Sequence, residues 1–184
     1  YNTMPFYQIQ GKIPNKRHIQ FRDPNGNLYY EELISRKGFS SLYSNVYHIN
    51  PPTTIKKVGQ FQKIKRKPLQ HTHRHHHIKS FDLQSNGDAI NARLSLFYND
   101  DVELSIAKID KSMNTFYRNG HNDEIIFIQS GSGKFYSNFG KLDLIKGDYI
   151  IIPRGVIWKM EADEKMNQFI IETNGQVETP VNYR

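Results

Sequence analysis

The sequence predicts an all-β chain, a jelly-roll barrel preceded by an irregular arm with a few short strands. Three observations carry this expectation. From Ala89 onward apolar residues recur with period two rather than 3.6. Turn formers punctuate that region at a spacing of about eight to twelve residues. Helix-period stretches are nearly absent. With 37% apolar and 12% aromatic residues over 184 positions, the chain can bury a sizeable core and is not disordered.

Residues 4–80 read as the arm. Asp23-Pro24-Asn25-Gly26 is a strong turn signal. Residues 28–33 follow it as a short strand or the far arm of a hairpin, and Pro51-Pro52 ends a third segment. Residues 91–98 alternate, with Ala92, Leu94 and Leu96 on one side, up to a turn at Asn99-Asp100-Asp101. Val102, Leu104 and Ile106 then alternate with Glu103, Ser105 and Ala107. Residues 124–129 are nearly all apolar, as in a strand buried on both faces or facing a barrel interior. After the turn at 130–133, residues 134–138 and 141–145 flank Phe139-Gly140 as a hairpin. Residues 149–152 form a short apolar strand stopped by Pro153-Arg154-Gly155, and 156–160 and 167–172 complete about eight strands. An antiparallel barrel of this kind closes its own edges.

Composition removes several classes of function. Cysteine is absent, which excludes disulfides, thiolate metal sites, iron–sulfur clusters and a cysteine nucleophile. No apolar run approaches the roughly 18 residues of a membrane span, so no membrane partner is expected. No secretory signal is visible, and the expected location is cytoplasmic. Tyr1-Asn2-Thr3 precede Met4, so residues 1–3 read as an expression scar and Met4 as the native start. Net charge is +7 and unevenly placed: residues 34–80 hold ten Lys and Arg and no Asp or Glu. Such a bias can attract phosphates or an acidic surface. The basic run at 63–67 lacks interleaved aromatics, however, and no nucleic-acid module signature appears, so no nucleic-acid partner is expected.

The turn residues of 117–162 form a recognisable set. Glu124 is followed after six residues by Gly131, and Gly147 after five residues by Pro153, then Gly155. This is the skeleton of the two cupin motifs, in which glycines permit tight hairpins and inward-facing histidines meet a carboxylate at one metal. The histidines are missing. Counting back from Glu124 places Tyr117 and Asn119 at the first two histidine positions, or Arg118 and Gly120 with the shorter gap. Counting forward from Gly155 places Trp158 at the third, and Ala162 at the motif's Asn. The fold class expected is therefore a cupin-like double-stranded β-helix (jelly roll) over residues 81–175 that kept its turns and lost its metal. Tyr117, Asn119, Glu124 and Trp158 form the candidate barrel pocket, two aromatic walls with polar anchors. No catalytic and no cofactor-binding residue is assigned.

Five of the eight histidines fall in His71-Thr72-His73-Arg74-His75-His76-His77. On a strand, His71, His73, His75 and His77 would share one face and could chelate zinc, nickel or iron. The surrounding positive charge disfavours a cation, so the run reads as a surface or subunit-contact segment with at most adventitious metal binding. No Gly-x-Ser-x-Gly, P-loop or His-Glu-x-x-His occurs, and no nucleophile, base and orienting group come together.

Taken together, several stretches resemble the amino-terminal half of bacterial homogentisate 1,2-dioxygenases. They are residues 4–7 and 11–18, 28–33, Gly38-Phe39, Tyr47-His48, Pro51-Pro52-Thr53, residues 79–82, 116–119, Asp123-Glu124, Phe139-Gly140-Lys141, Gly147-Asp148-Tyr149 and Pro153-Arg154-Gly155. The resemblance implies an extradiol-type enzyme of two cupin-like halves. It uses Fe(II) and O2 to open the ring of homogentisate to maleylacetoacetate, in tyrosine and phenylalanine catabolism. It further implies an iron held by two His and one Glu in the second half, a homo-oligomer (trimer or hexamer), and residues 176–184 as the start of the link to that half. None of those iron ligands maps onto this sequence, so this chain alone is expected to be inactive and to bind no Fe(II). The alternative is a free-standing metal-less cupin that binds a small molecule.

Overall fold

The computed structural model describes residues 20–40, 43–61 and 74–183. Two strands belong to the arm: β1 (Tyr30–Ser35) and β2 (Tyr43–His48). Nine more follow: β3 (Arg93–Tyr98), β4 (Val102–Ile109), β5 (Tyr117–Arg118), β6 (Asp123–Ser130), β7 (Gly133–Ser137), β8 (Gly140–Leu144), β9 (Tyr149–Ile152), β10 (Ile157–Ala162) and β11 (Met166–Thr173). They make two antiparallel sheets, a five-stranded one in the order β3-β4-β11-β6-β9 and a four-stranded one in the order β5-β10-β7-β8. The chain is all-β, a cupin-like double-stranded β-helix preceded by an irregular arm with a short hairpin.

The core lies between the sheets. Ile126, Ile128, Ile150, Met166 and Ile170 from the five-stranded sheet pack with Phe135, Leu144, Trp158 and Met160 from the other. Trp158 is fully buried, its ring stacked on Phe135 at 5.6 Å and meeting Tyr117 edge-on at 5.6 Å. Large apolar side chains of this kind each contribute roughly 1.5–3 kcal/mol when buried, so this layer dominates the barrel's stability.

The turns behave as their residues dictate. Gly131 has φ of +85°, and a Cβ there would sit 2.3 Å from the Lys165 carbonyl oxygen. Only glycine meets both demands, the left-handed backbone and the close approach of the β10–β11 turn. At Gly147, φ of +97° turns the chain between β8 and β9.

One detail departs from the sequence reading, and a second completes it. Strand β3 does not alternate cleanly, because a bulge between Ser95 and Phe97 leaves Leu96 outside the register with β4. On β4 the alternation is present, but Ser105, Ala107 and Ile109 are the side that joins the inner rungs with Ile170, Gln168 and Met166. Val102, Leu104 and Ile106 therefore face outward. Among the described residues, no helix is long and apolar enough to cross a membrane.

Candidate functional site

Strand β6 begins with two acids whose side chains leave opposite faces, and both are completely buried. Glu124 points into the barrel and Asp123 away from it. Each carboxylate has been given cationic partners, as burial of charge requires.

Inside the barrel Glu124 meets Arg93 of β3. Arg93 Nη1 donates to Glu124 Oε1 at 2.5 Å and to Glu172 Oε1 of β11 at 2.7 Å. Arg93 Nε donates to the Ala89 carbonyl at 3.0 Å. The second oxygen of Glu124 accepts from the Trp158 indole N–H at 3.2 Å, and the second oxygen of Glu172 accepts from Asn119 Nδ2 at 3.1 Å. The guanidinium lies 5.9 Å from the Tyr117 ring centre and 6.0 Å from that of Trp158. Burial alone would ease the proton off Arg93, but the two carboxylates outweigh it and push its pKa upward. Burial and the Glu124 charge push the Tyr117 phenol up to about 12, against the opposing pull of Arg93. The barrel interior thus holds a largely buried cation between two carboxylates, beside the Tyr117 and Trp158 rings.

Outside, Asp123 is the knot that ties three segments together. It accepts from Arg36 Nη1 at 3.1 Å, from the Arg154 backbone N–H and Nε at 3.1 Å each, and from the Val177 N–H at 3.0 Å. Arg36 follows β1, Arg154 sits in the Pro-x-Gly turn, and Val177 lies beyond β11. Arg36 also donates to the Val177 carbonyl at 2.6 Å. Burial would raise the Asp123 carboxyl, yet the two amides and two guanidinium groups hold it below the usual carboxylate range. A second tie runs through Glu32 of β1, which pairs with Arg118 at 2.8 Å and with His48 at 2.8 Å.

The four sequence-predicted pocket residues do come together. Glu124 bonds Trp158, Trp158 packs on Tyr117, and Asn119 joins through Glu172. The sequence reading missed Arg93 and Glu172, which complete the set. Of the histidine run, His71 and His73 lie outside the described residues, while His75 and His77 are exposed. Among the described residues, no three His, Asp or Glu side chains converge as a metal site would require.

The residues present do not fit an iron ion. An indole N–H is a donor without a lone pair to offer a metal. Both oxygens of Glu124 already accept from Trp158 and Arg93, and the guanidinium supplies positive charge where a metal would.

A family model described as homogentisate 1,2-dioxygenase N-terminal matches residues 34–180. A protein of Saccharolobus solfataricus named "Putative dioxygenase SSO1533" is 37% identical over 183 residues, covering 98% of this chain and 47% of that relative. The chain therefore spans about half the length of this curated relative. Among solved structures, it is similar to a cupin-2 domain containing protein from Shewanella frigidimarina, with a TM-score of 0.43 and 20% identity over 51% of this chain and 86% of that one. A cupin protein from Bacteroides fragilis gives a TM-score of 0.41 and 22% identity over 55% of this chain and 93% of its own.

Proposed function

This chain belongs to the homogentisate 1,2-dioxygenase N-terminal family, and from that premise we propose that it is the structural amino-terminal barrel of such an enzyme. The reaction is the Fe(II)- and O2-dependent, extradiol-type opening of homogentisate to maleylacetoacetate, in tyrosine and phenylalanine catabolism. The enzyme is a cytoplasmic homo-oligomer, a trimer or hexamer. The observation that carries the assignment of roles is Arg93. A guanidinium locked between Glu124 and Glu172 takes the central place of the barrel, so iron, substrate and O2 belong to the part of the polypeptide beyond this chain. What these residues do is hold shape. Arg93 ties β3 to β6 and β11 through Glu124 and Glu172, Glu124 carries the tie on to Trp158 of the other sheet, and Asp123 fixes the arm and residues 174–178 against the barrel.

The test is oxygen uptake and maleylacetoacetate formation with Fe(II) and homogentisate, on the full natural polypeptide and on the 184-residue chain. Turnover by the former and none by the latter supports the reading. Stoichiometric iron and turnover in the short chain alone would overturn it. A second reading, a small-molecule pocket at Tyr117, Asn119, Glu124 and Trp158, is favoured by one observation: Arg93 Nη2 is buried without a hydrogen-bond partner. A carboxylate ligand there would change the emission of Trp158, the single tryptophan of the chain. No saturable change with homogentisate or related aromatic acids ends that reading.

A further inference from the structure

The two sheets of this barrel have opposite exteriors. On the four-stranded sheet the outward residues of β7, β8 and β10 are mostly charged, Lys134, Lys141, Asp143, Lys159 and Glu161, with Tyr136 and Ile157 among them. Several pair with each other, Lys159 with Glu161 at 2.6 Å and Lys141 with Asp143 at 3.0 Å. That is the pattern of an antiparallel sheet facing water.

On the five-stranded sheet the outward charges, Asp123 of β6 and Lys108 of β4, lie at the two borders, and the face between them is apolar. One outward row crosses all five strands as Leu94, Ile106, Phe169, Phe127 and Tyr149, each residue paired with the next. The adjacent row does the same as Phe97, Leu104, Ile171, Ile125 and Ile151. All ten positions are apolar or aromatic. Tyr149 is 68% exposed and Ile151 53%, while Phe127 and Tyr149 stack with ring centres 4.4 Å apart. Five strands about 4.8 Å apart and two rows about 7 Å apart make a patch on the order of 300 Å². Ile106 is already covered within this chain, while Leu94, Phe97, Tyr149 and Ile151 are exposed; a charge-free apolar patch of that size matches the largest patch on a typical monomer, which is often functional.

We propose that this outer face of the five-stranded sheet is the seat on which the remaining half of the enzyme polypeptide docks. The inference rests on the reading that this chain is one part of a longer protein. Three observations select that occupant. The matched relative is about twice as long, which supplies a second body of similar size. The rows offer no charged group to steer or release a transient partner, and uniformly apolar patches characterise permanent contacts. The charged exterior of the other sheet shows that the asymmetry is not general to the barrel.

The experiment uses the full natural polypeptide. The chain described here has no cysteine, so Ile151→Cys places a single thiol on the patch and Lys141→Cys places one on the charged sheet. Labelling by a maleimide is followed at each position by peptide mass spectrometry. The expected result is labelling at 151 at least about tenfold slower than at 141, the same at all protein concentrations. Equal rates overturn the proposal. Protection that disappears on dilution assigns the face to a second copy and also overturns it. Should Ile151→Cys fail to fold, hydroxyl-radical footprinting of the unsubstituted protein decides. Tyr149 is then protected while Phe139, 44% exposed in this structure, stays oxidisable; oxidation of both overturns the proposal. Homogentisate-dependent oxygen uptake on the same samples separates the two readings. Turnover with an unprotected face removes the docking surface alone, and protection without turnover removes the catalytic assignment alone. A natural polypeptide that ends with this chain removes both.

Discussion

Replacing Arg93 by methionine keeps most of the side-chain volume and removes the charge. Glu124 is fully buried and the Arg93 side chain is 12% exposed, so little solvent screening softens the loss. Glu124 would keep the Trp158 N–H at 3.2 Å, and Glu172 the Asn119 amide at 3.1 Å, but neither would retain a cation. Breaking one side of a buried ion pair costs about 3–5 kcal/mol. Two carboxylates share this guanidinium, but Glu172 is 18% exposed and partly hydrated, which argues for the lower end, about 3 kcal/mol. For a chain of this length that corresponds to a fall in Tm of roughly 6–12 °C. Urea unfolding followed by Trp158 emission reads the change directly, since that ring is the single indole and touches the network. The double variant Arg93→Met with Glu124→Gln removes the stranded charge and should recover most of the loss, to within about 1–2 kcal/mol of the parent. Arg93→Met within about 1 kcal/mol of the parent would refute the argument that the guanidinium holds the barrel. So would a double variant no more stable than the single one, because the penalty would then not come from an unpaired carboxylate.

Three further outcomes follow from the same geometry. Asp123→Asn should lose about 2–4 kcal/mol at neutral pH, measured by urea unfolding, because two guanidinium groups lose their shared anion. The folded Asp123 carboxyl lies below its unfolded value of about 3.9, so its stabilisation is complete above roughly pH 5 and is lost as pH falls through the folded value. The variant's acid limb should accordingly be shallower, and identical slopes would contradict the clamp. Gly131→Ala should cost more than about 2 kcal/mol, since φ of +85° and a carbonyl at 2.3 Å both oppose a Cβ; a Tm unchanged within error would be the contrary result. In a spectrophotometric titration, Tyr117→Phe should remove a phenol that ionises late, near pH 12, and leave the earlier tyrosine transitions in place. Loss of an early transition instead would mean that Tyr117 does not pack beside Arg93 and Trp158.

Much of the barrel was legible because its turns are chemically constrained. Gly131, Gly147 and the Pro153-x-Gly155 turn punctuate the chain whatever lies between them, and residues 149–152 coincide with β9. The two-residue strand β5 was not legible. Its pairing partners, Ile157 and Trp158 of β10, lie about forty residues on, and two residues carry no periodicity. The four candidate residues Tyr117, Asn119, Glu124 and Trp158 were picked out by motif spacing, which fixes position along the strand. Their partners Arg93 and Glu172 lie outside the motifs, and Arg93 precedes Glu124 by 31 residues.

The way Arg93 escaped notice has the same physical origin as the docking face. Period-two alternation separates a strand's two faces but does not say which is inner. The usual rule, apolar inward, would turn Leu94 and Ile106 into the barrel and leave Arg93 and Ser105 outside. Here that rule is reversed locally: Arg93 and Ser105 face inward, Leu94 and Ile106 outward, although Ala107 and Ile109 of β4 still join the core. Such a reversal is tolerable only if both exchanged faces find partners. Inward, Arg93 has Glu124 and Glu172 to neutralise it. Outward, Ile106 reaches 3% exposure within this chain, while Leu94 stays at 36% and Tyr149 at 68%. The inner half of the exchange is thus neutralised in charge, with Arg93 Nη2 alone left unbonded, while the outer half leaves apolar side chains in the open, which is what a second body laid across β3, β4, β11, β6 and β9 would cover.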